Sequence, residues 1–267
     1  MDDTVSSDAL EAGRGYEALF VPALFGVWTK HLIKTAKIEA GQTVLDVACG
    51  TGVLARDVLA ALGERSHVTG VDPTPGMLAV AKEIEPNINW VSGTAEEIPL
   101  ADQSFDTVLS QFGMMFFQDK TQACREMYRV LKPGGILVLA VWNSTTENRA
   151  YQDMIALMSA EVGDAAANAV RLPFSLGDAS GVIDALSASG FADITAATLA
   201  ETARFPSTRT MVEAELRGWL PLFDIYLSEP EIARVLAASD TALAAHATPT
   251  GEAVFTTSAH IISARRP

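Results

Sequence analysis

Two acidic residues, Asp46 and Asp72, end two strand-like runs with a glycine turn between them. Val44-Leu45-Asp46-Val47-Ala48-Cys49-Gly50-Thr51-Gly52 reads as a buried strand entering a turn that opens a helix over 53–62. Gly50 and Gly52 allow a sharp turn and a close backbone approach to a ligand, which a Cβ would prevent. Asp72 closes the run His67–Val71 and follows Gly52 by twenty residues. A carboxylate there can accept both hydrogen bonds of a ribose diol, and open parallel sheets bind ligands beyond the carboxyl ends of their strands. Together the two features describe a nucleoside site. As a strand-end acid, Asp72 is expected to serve the ligand and to matter little to the unliganded fold.

Gly50-Thr51-Gly52-Val53-Leu54-Ala55 also fits a dinucleotide pattern, which would make the chain a nicotinamide-dependent oxidoreductase. Asp46 argues against it, because a carboxylate beside the glycines repels a pyrophosphate and suits a cationic group such as an amino-acid ammonium. A plainer role for Asp46 is an acid stabilised by a helix dipole.

The run around Asp46 resembles motif I of the class I S-adenosylmethionine-dependent methyltransferases, and four further stretches follow in that family's order. Gly70-Val71-Asp72-Pro73-Thr74-Pro75-Gly76-Met77-Leu78 resembles its second-strand acidic loop. Gly93-Thr94-Ala95-Glu96-Glu97-Ile98-Pro99-Leu100 resembles its adenine-side loop. Ser104-Phe105-Asp106-Thr107-Val108-Leu109-Ser110 resembles its fourth strand, and Arg129-Val130-Leu131-Lys132-Pro133-Gly134-Gly135 the turn before its fifth. Within the family, the pattern is most similar to the ubiquinone/menaquinone-biosynthesis C-methyltransferase group.

The resemblance implies S-adenosyl-L-methionine as cofactor and a small, apolar methyl acceptor as partner. Asp46, Ala48, Gly50 and Gly52 would form the methionine-side turn, and Asp72, Pro73 and Met77 the ribose and adenine side. Thr94, Ala95 and Glu96 would edge the adenine, and Gln111 and Phe112 would touch the methionine portion and the substrate. Phe20 and Trp28 would close over the cofactor from the N-terminal helix. Ala48 departs from the glycine more common in the motif. Thr94 replaces the usual aspartate and offers a weaker, neutral acceptor to the adenine amino group. Met114-Met115-Phe116-Phe117 adds polarisable apolar surface.

The elements needed to hold these residues are strands at 43–48, 67–72, 87–92, 105–110 and 135–142, alternating with helices at 53–62, 76–85 and 119–131. Tyr16 to Lys37 reads as one or two amphipathic helices interrupted near Pro22 and Gly26, after a frayed acidic start over 1–13. Gly134 and Gly135 are expected to end the helix at 119–131. Late strands near Ile194–Thr198 and Val254–Ala264 complete the sheet. The expected fold is α/β, a Rossmann-like, doubly wound, seven-stranded sheet, mostly parallel with its last strand antiparallel, plus helical cap insertions. Residues 1–40 form an N-terminal helical segment, 41–142 the cofactor-binding core, and 143–267 the rest of the sheet. The cap insertions fall at about 143–175 and 207–247. In them Met154, Met158, Met211, Trp219, Leu222, Phe223 and Tyr226 are candidate pocket residues.

Composition narrows the function. A net charge of −14, with no lysine after Lys132, argues against nucleic acid. The longest apolar stretch, Ala18–Trp28, contains Pro22 and Gly26 and is too short to span a bilayer. The start Met1-Asp2-Asp3 lacks a basic, signal-like character. Cys49 and Cys124 read as reduced thiols, and the expected location is cytoplasmic. No metal-ligand spacing is visible. Four histidines, His31, His67, His246 and His260, occur without a partner pattern, so the catalytic residue stays unknown. A non-catalytic nucleoside-binding protein is the rival outside enzymes.

Overall fold

The computed structural model describes residues 5–63 and 67–267; the expectation for Met1-Asp2-Asp3 falls outside them. Residues 7–13, expected to be frayed, are helical. Helix α1 spans Ser7–Leu19, capped by the Ser6 side chain, which accepts the Ala9 backbone N–H. Pro22 and Gly26 do interrupt the pattern, as a π-helical turn over Val21–Phe25 and a 3-10 turn over Gly26–Trp28, before helix α2 at Thr29–Ala36.

The core alternates as its periodicity demands: β1 Thr43–Val47, α3 Val53–Leu62, β2 His67–Asp72, α4 Pro75–Ile84, β3 Asn89–Ser92, β4 Phe105–Gln111, α5 Lys120–Val130 and β5 Leu131–Trp142. Beyond it lie α6 Arg149–Glu161, α7 Asp164–Arg171, α8 Ser180–Ala188, β6 Ala192–Phe205, α9 Thr208–Ala214, α10 Glu229–Ala242 and β7 Ala253–Arg265. Among the described residues the strands form one seven-stranded sheet in the order β3-β2-β1-β4-β5-β7-β6. The first five are parallel, and β7 runs antiparallel between β5 and β6.

This order reverses between β1 and β4, which opens a crevice beyond their carboxyl ends. Val44, Leu45, Val47, Val108 and Leu109 are fully buried, as strands covered on both faces require. The motifs at the opposite edge are structural. Asp106 Oδ2 accepts the Thr43 N–H at 2.8 Å and the Thr43 hydroxyl at 2.7 Å, while Lys132 Nζ donates to Oδ1 at 2.8 Å. Burial would raise the Asp106 carboxyl, but Lys132 and Thr43 together hold it below its ordinary value. The turn at Lys132–Gly135 does not end α5, which stops at Val130; it bulges the start of β5, where the register jumps between Phe105 and Thr107.

Two late elements depart from expectation. Strand β6 is fourteen residues long, far beyond 194–198, because its Ala- and Thr-rich edge position needs no apolar alternation and is mostly exposed. The first of the two helices expected in the second insertion, over 207–220, is broken: α9 passes into a π-helical turn at Glu215–Trp219 and a 3-10 turn at Leu220–Phe223, while the second forms as α10.

Candidate functional site

A cavity of about 780 Å³ opens at the crevice between β1 and β4, within the ordinary range for small-ligand sites. Its wall contains Asp46, Ala48, Gly50, Asp72, Pro73, Met77, Thr94, Ala95, Glu96, Gln111 and Phe112. Eleven of the fourteen residues singled out from the sequence therefore meet in one place.

Three do not. Gly52 has φ +86°, but its missing side chain makes room for the Trp90 indole, which an added Cβ would approach within 2.2 Å, and it does not line the cavity. Trp28 is fully buried behind the wall, edge-on to Phe112 at 5.8 Å and to Trp142 at 5.7 Å. Phe20 lines a separate small cavity. Tyr16 and Phe25, stacked at 5.3 Å, line the cavity where Phe20 and Trp28 were expected.

Asp46 sits at the end of β1, 1% exposed, and neither carboxylate oxygen has a hydrogen-bond partner among the described residues. Burial pushes its carboxyl up to about 8; the Ala55 backbone N–H opposes this without reaching hydrogen-bond geometry, and the charge of Asp72 adds to it. Thr51 Oγ1 and Gln111 Oε1 on the same wall are likewise buried and unpartnered, although Gln111 Nε2 donates to the Phe25 carbonyl at 3.2 Å. A group of unsatisfied acceptors around one buried acid fits an ammonium and repels a phosphate.

Asp72 does more than the sequence indicated. Oδ2 accepts the Gly50 N–H at 2.9 Å and Oδ1 the Thr74 N–H at 2.8 Å, so it fixes the glycine turn as well as facing the cavity. Burial raises its carboxyl, against the pull of the Thr74 and Gly50 N–H groups. Each oxygen retains a lone pair for a ribose hydroxyl.

On the adenine side, the Thr94 hydroxyl already accepts the Glu97 N–H at 3.2 Å, closing a turn. Glu96 Oε1 accepts the Gln118 N–H at 2.7 Å and so anchors the entry to α5. Phe112 adopts φ +56° and stacks face to face on Trp142 at 3.8 Å. Ala48 also takes a left-handed φ of +57°, and an added Cβ on Gly113 would lie 2.6 Å from its methyl. Met114 and Met115 are core, whereas Phe116 and Phe117 face the cavity.

Among the cap residues, Trp219, Leu222 and Phe223 line the cavity. Met154, Met158 and Met211 are fully buried packing, and Tyr226 is 74% exposed. The histidines are engaged elsewhere: His31 with Glu201 at 2.6 Å, His246 with Asp153 at 2.8 Å, and His260 with Thr198 and the Gly177 carbonyl. None of these three lines either cavity, and no cluster of metal-ligating groups occurs among the described residues.

The acid that sequence reasoning missed is Glu215, buried in the wall of the small cavity. Its signal was its spacing: Met211, Glu215 and Trp219 lie four apart, on one helical face.

Known proteins resemble part of this chain in sequence and its whole length in fold. The family described as "Methyltransferase domain" matches residues 45–139, from β1 into β5. Residues 45–139 are thus similar to a methyltransferase domain. Demethylmenaquinone methyltransferase of Staphylococcus epidermidis is 41% identical over 116 residues, 42% of this chain and 48% of that protein. The chain thus spans about half the length of the curated relatives it matches. The crystal structure of the YcgJ protein from Bacillus subtilis superposes with TM-score 0.59 at 21% identity, covering 89% of this chain and 97% of that one. Phosphoethanolamine N-methyltransferase 2 of Haemonchus contortus, solved with S-adenosylhomocysteine, superposes with TM-score 0.60 at 19% identity, covering 100% of this chain and 59% of that one. These two likenesses show the fold. The matched segment includes the sheet edge on which Asp46, Asp72 and Gln111 converge.

Proposed function

We propose that this protein is an S-adenosylmethionine-dependent methyltransferase that methylates a small molecule with an apolar body. The observation that carries the reading is Asp46, a buried acid with two unpartnered oxygens at the switch point of a methyltransferase domain. Asp46 and Gln111 Oε1 receive the ammonium, Asp72 the ribose hydroxyls, and Met77 and Ala95 pack on the adenine side. Bound there, the cofactor supplies a sulfonium-activated methyl group.

The chain's own contribution is alignment and exclusion of water, effects that can lower such a barrier by several kcal/mol. Phe112, Phe116, Trp219, Leu222 and Phe223 give the acceptor an apolar wall beside Gln111. The segments 143–175 and 207–247 act as a cap that selects the acceptor. Two free, buried thiols, Cys49 and Cys124, suit a reducing cytoplasm, and no helix among the described residues is long and apolar enough to cross a membrane.

A calorimetric titration distinguishes this from a nicotinamide oxidoreductase. S-adenosylhomocysteine should bind and NAD should not, because Asp46 stands where a pyrophosphate would approach. Binding of NAD alone would reverse the assignment.

A further inference from the structure

Behind the main cavity lies a smaller, aromatic-walled one of about 60 Å³, which shares Tyr16, Phe25, Phe112, Phe116 and Trp219 with it. It is an annex sized for the reacting end of a molecule whose body fills the larger space. Glu215 lines it and is 3% exposed. The residue opens the π-helical turn Glu215–Trp219, which meets the other π-helical turn, Val21–Phe25, across the same space. Such turns frequently occur at functional sites, where they displace side chains from the regular helical positions.

No basic residue lines the annex to account for an acid here. Among the described residues lining the annex, the only other titratable groups are Tyr151 from α6 and Tyr16 from α1; none is basic. Arg217, two residues on, pairs with Glu213 at 2.9 Å and Glu229 at 2.8 Å at the surface. Buried carboxyls without a cationic partner are costly and concentrate at working sites.

We propose that Glu215 is the proton acceptor of the methyl transfer, positioned by Tyr151 and meeting the acceptor's exchangeable hydrogen in the annex. The inference rests on the methyltransferase reading. As the acceptor atom bonds to the methyl carbon, the carbon–sulfur bond breaks and its electron pair stays on sulfur, leaving a neutral thioether. The acceptor's proton passes to the Glu215 carboxylate, and product release lets it escape to water. Burial pushes Glu215 up to about 8, with the Tyr151 hydroxyl beside it pulling the other way. A base with a value near neutrality is well matched to that task.

The test uses 2-naphthol, a fluorescent acid that hands its proton to a neighbouring base when excited. Bound to the full chain, its naphtholate emission should grow as pH rises through about 8. Glu215→Gln should cut the ratio of naphtholate to naphthol emission about tenfold at alkaline pH, and Glu215→Asp should restore most of it. Tyr151→Phe removes the donor that lowers Glu215, so the midpoint should move to higher pH. Glutamine is isosteric with the neutral carboxyl, and near-ultraviolet circular dichroism verifies its packing. Equal emission ratios in wild type and Glu215→Gln, or no binding of 2-naphthol to either, would overturn the proposal. S-adenosylhomocysteine is titrated into the same samples. Its failure to bind any of them would refute the cofactor reading, whereas normal binding with unchanged emission would refute Glu215 alone.

Discussion

The Asp72 carboxylate accepts the Gly50 backbone N–H at 2.9 Å, across twenty-two residues of chain, and ties the end of β2 to the turn after β1. With the Thr74 N–H on its other oxygen, the side chain holds the cavity rim in shape before any ligand arrives.

Asp72→Ala should therefore cost the unliganded protein stability, by about 1–3 kcal/mol for two lost charge-assisted bonds in a buried setting. It should also weaken S-adenosylhomocysteine binding by a similar amount. Thermal unfolding and calorimetry of the same variant separate the two effects. An unchanged melting temperature would restore the simpler, ligand-only role.

Ala48 and Gly113 make a second coupled pair. Gly113→Ala places a methyl 2.6 Å from the Ala48 Cβ and 3.0 Å from Ser110 Oγ, in a rim with little freedom to shift. The expected loss is about 1–3 kcal/mol. Adding Ala48→Gly removes the clashing methyl and relieves a left-handed φ of +57°, so the double variant should recover at least half of the loss. Denaturant unfolding of the two single variants and the double closes the cycle. Simple additivity would mean that the two residues do not touch.

Stability should depend on pH in an unusual direction. Asp46 and Glu215 are raised from 3.8 and 4.5 to about 8, chiefly by burial. The folded chain therefore holds protons that the unfolded chain has released. Their favourable contribution is complete below about pH 4 and is lost as pH climbs to about 8, at up to about 1.4 kcal/mol per pH unit for each group. Asp106, Glu126 and Glu201 are shifted down, against burial, by Lys132, Arg129 and the Lys30–His31 pair respectively. They act in the opposite sense, but below about pH 4.5. Unliganded melting temperature should thus fall between pH 5 and 8, and Asp46→Asn or Glu215→Gln should flatten that slope. A flat wild-type profile would show that these acids ionise freely.

Residues whose place follows from backbone alone were legible in the sequence. Asp46, Gly50 and Asp72 end strands or begin turns, and the alternation of β1 through β5 fixes where those ends meet. Trp28 and Gly52 were misplaced because their neighbours come from afar: Trp142 packs on one and Trp90 on the other. Strand β6 was cut short because an exposed edge of alanine and threonine carries no period-two signal. Glu215 escaped notice because its burial depends on α1, α6 and two π-helical turns closing over it, although its place between Met211 and Trp219 marked it as an acid on an apolar face.

Cofactor binding here depends on the Asp46 carboxyl meeting a cation. At pH 7 Asp46 is mostly protonated, since burial holds it at about 8; a bound ammonium lowers that value and expels the proton. Calorimetric titration of S-adenosylhomocysteine in buffers of different ionisation enthalpy counts the protons released. Wild type should release close to one proton per ligand bound, and Asp46→Asn should bind more weakly and release none. Tight binding with no proton released, or the same release from Asp46→Asn, would contradict the account.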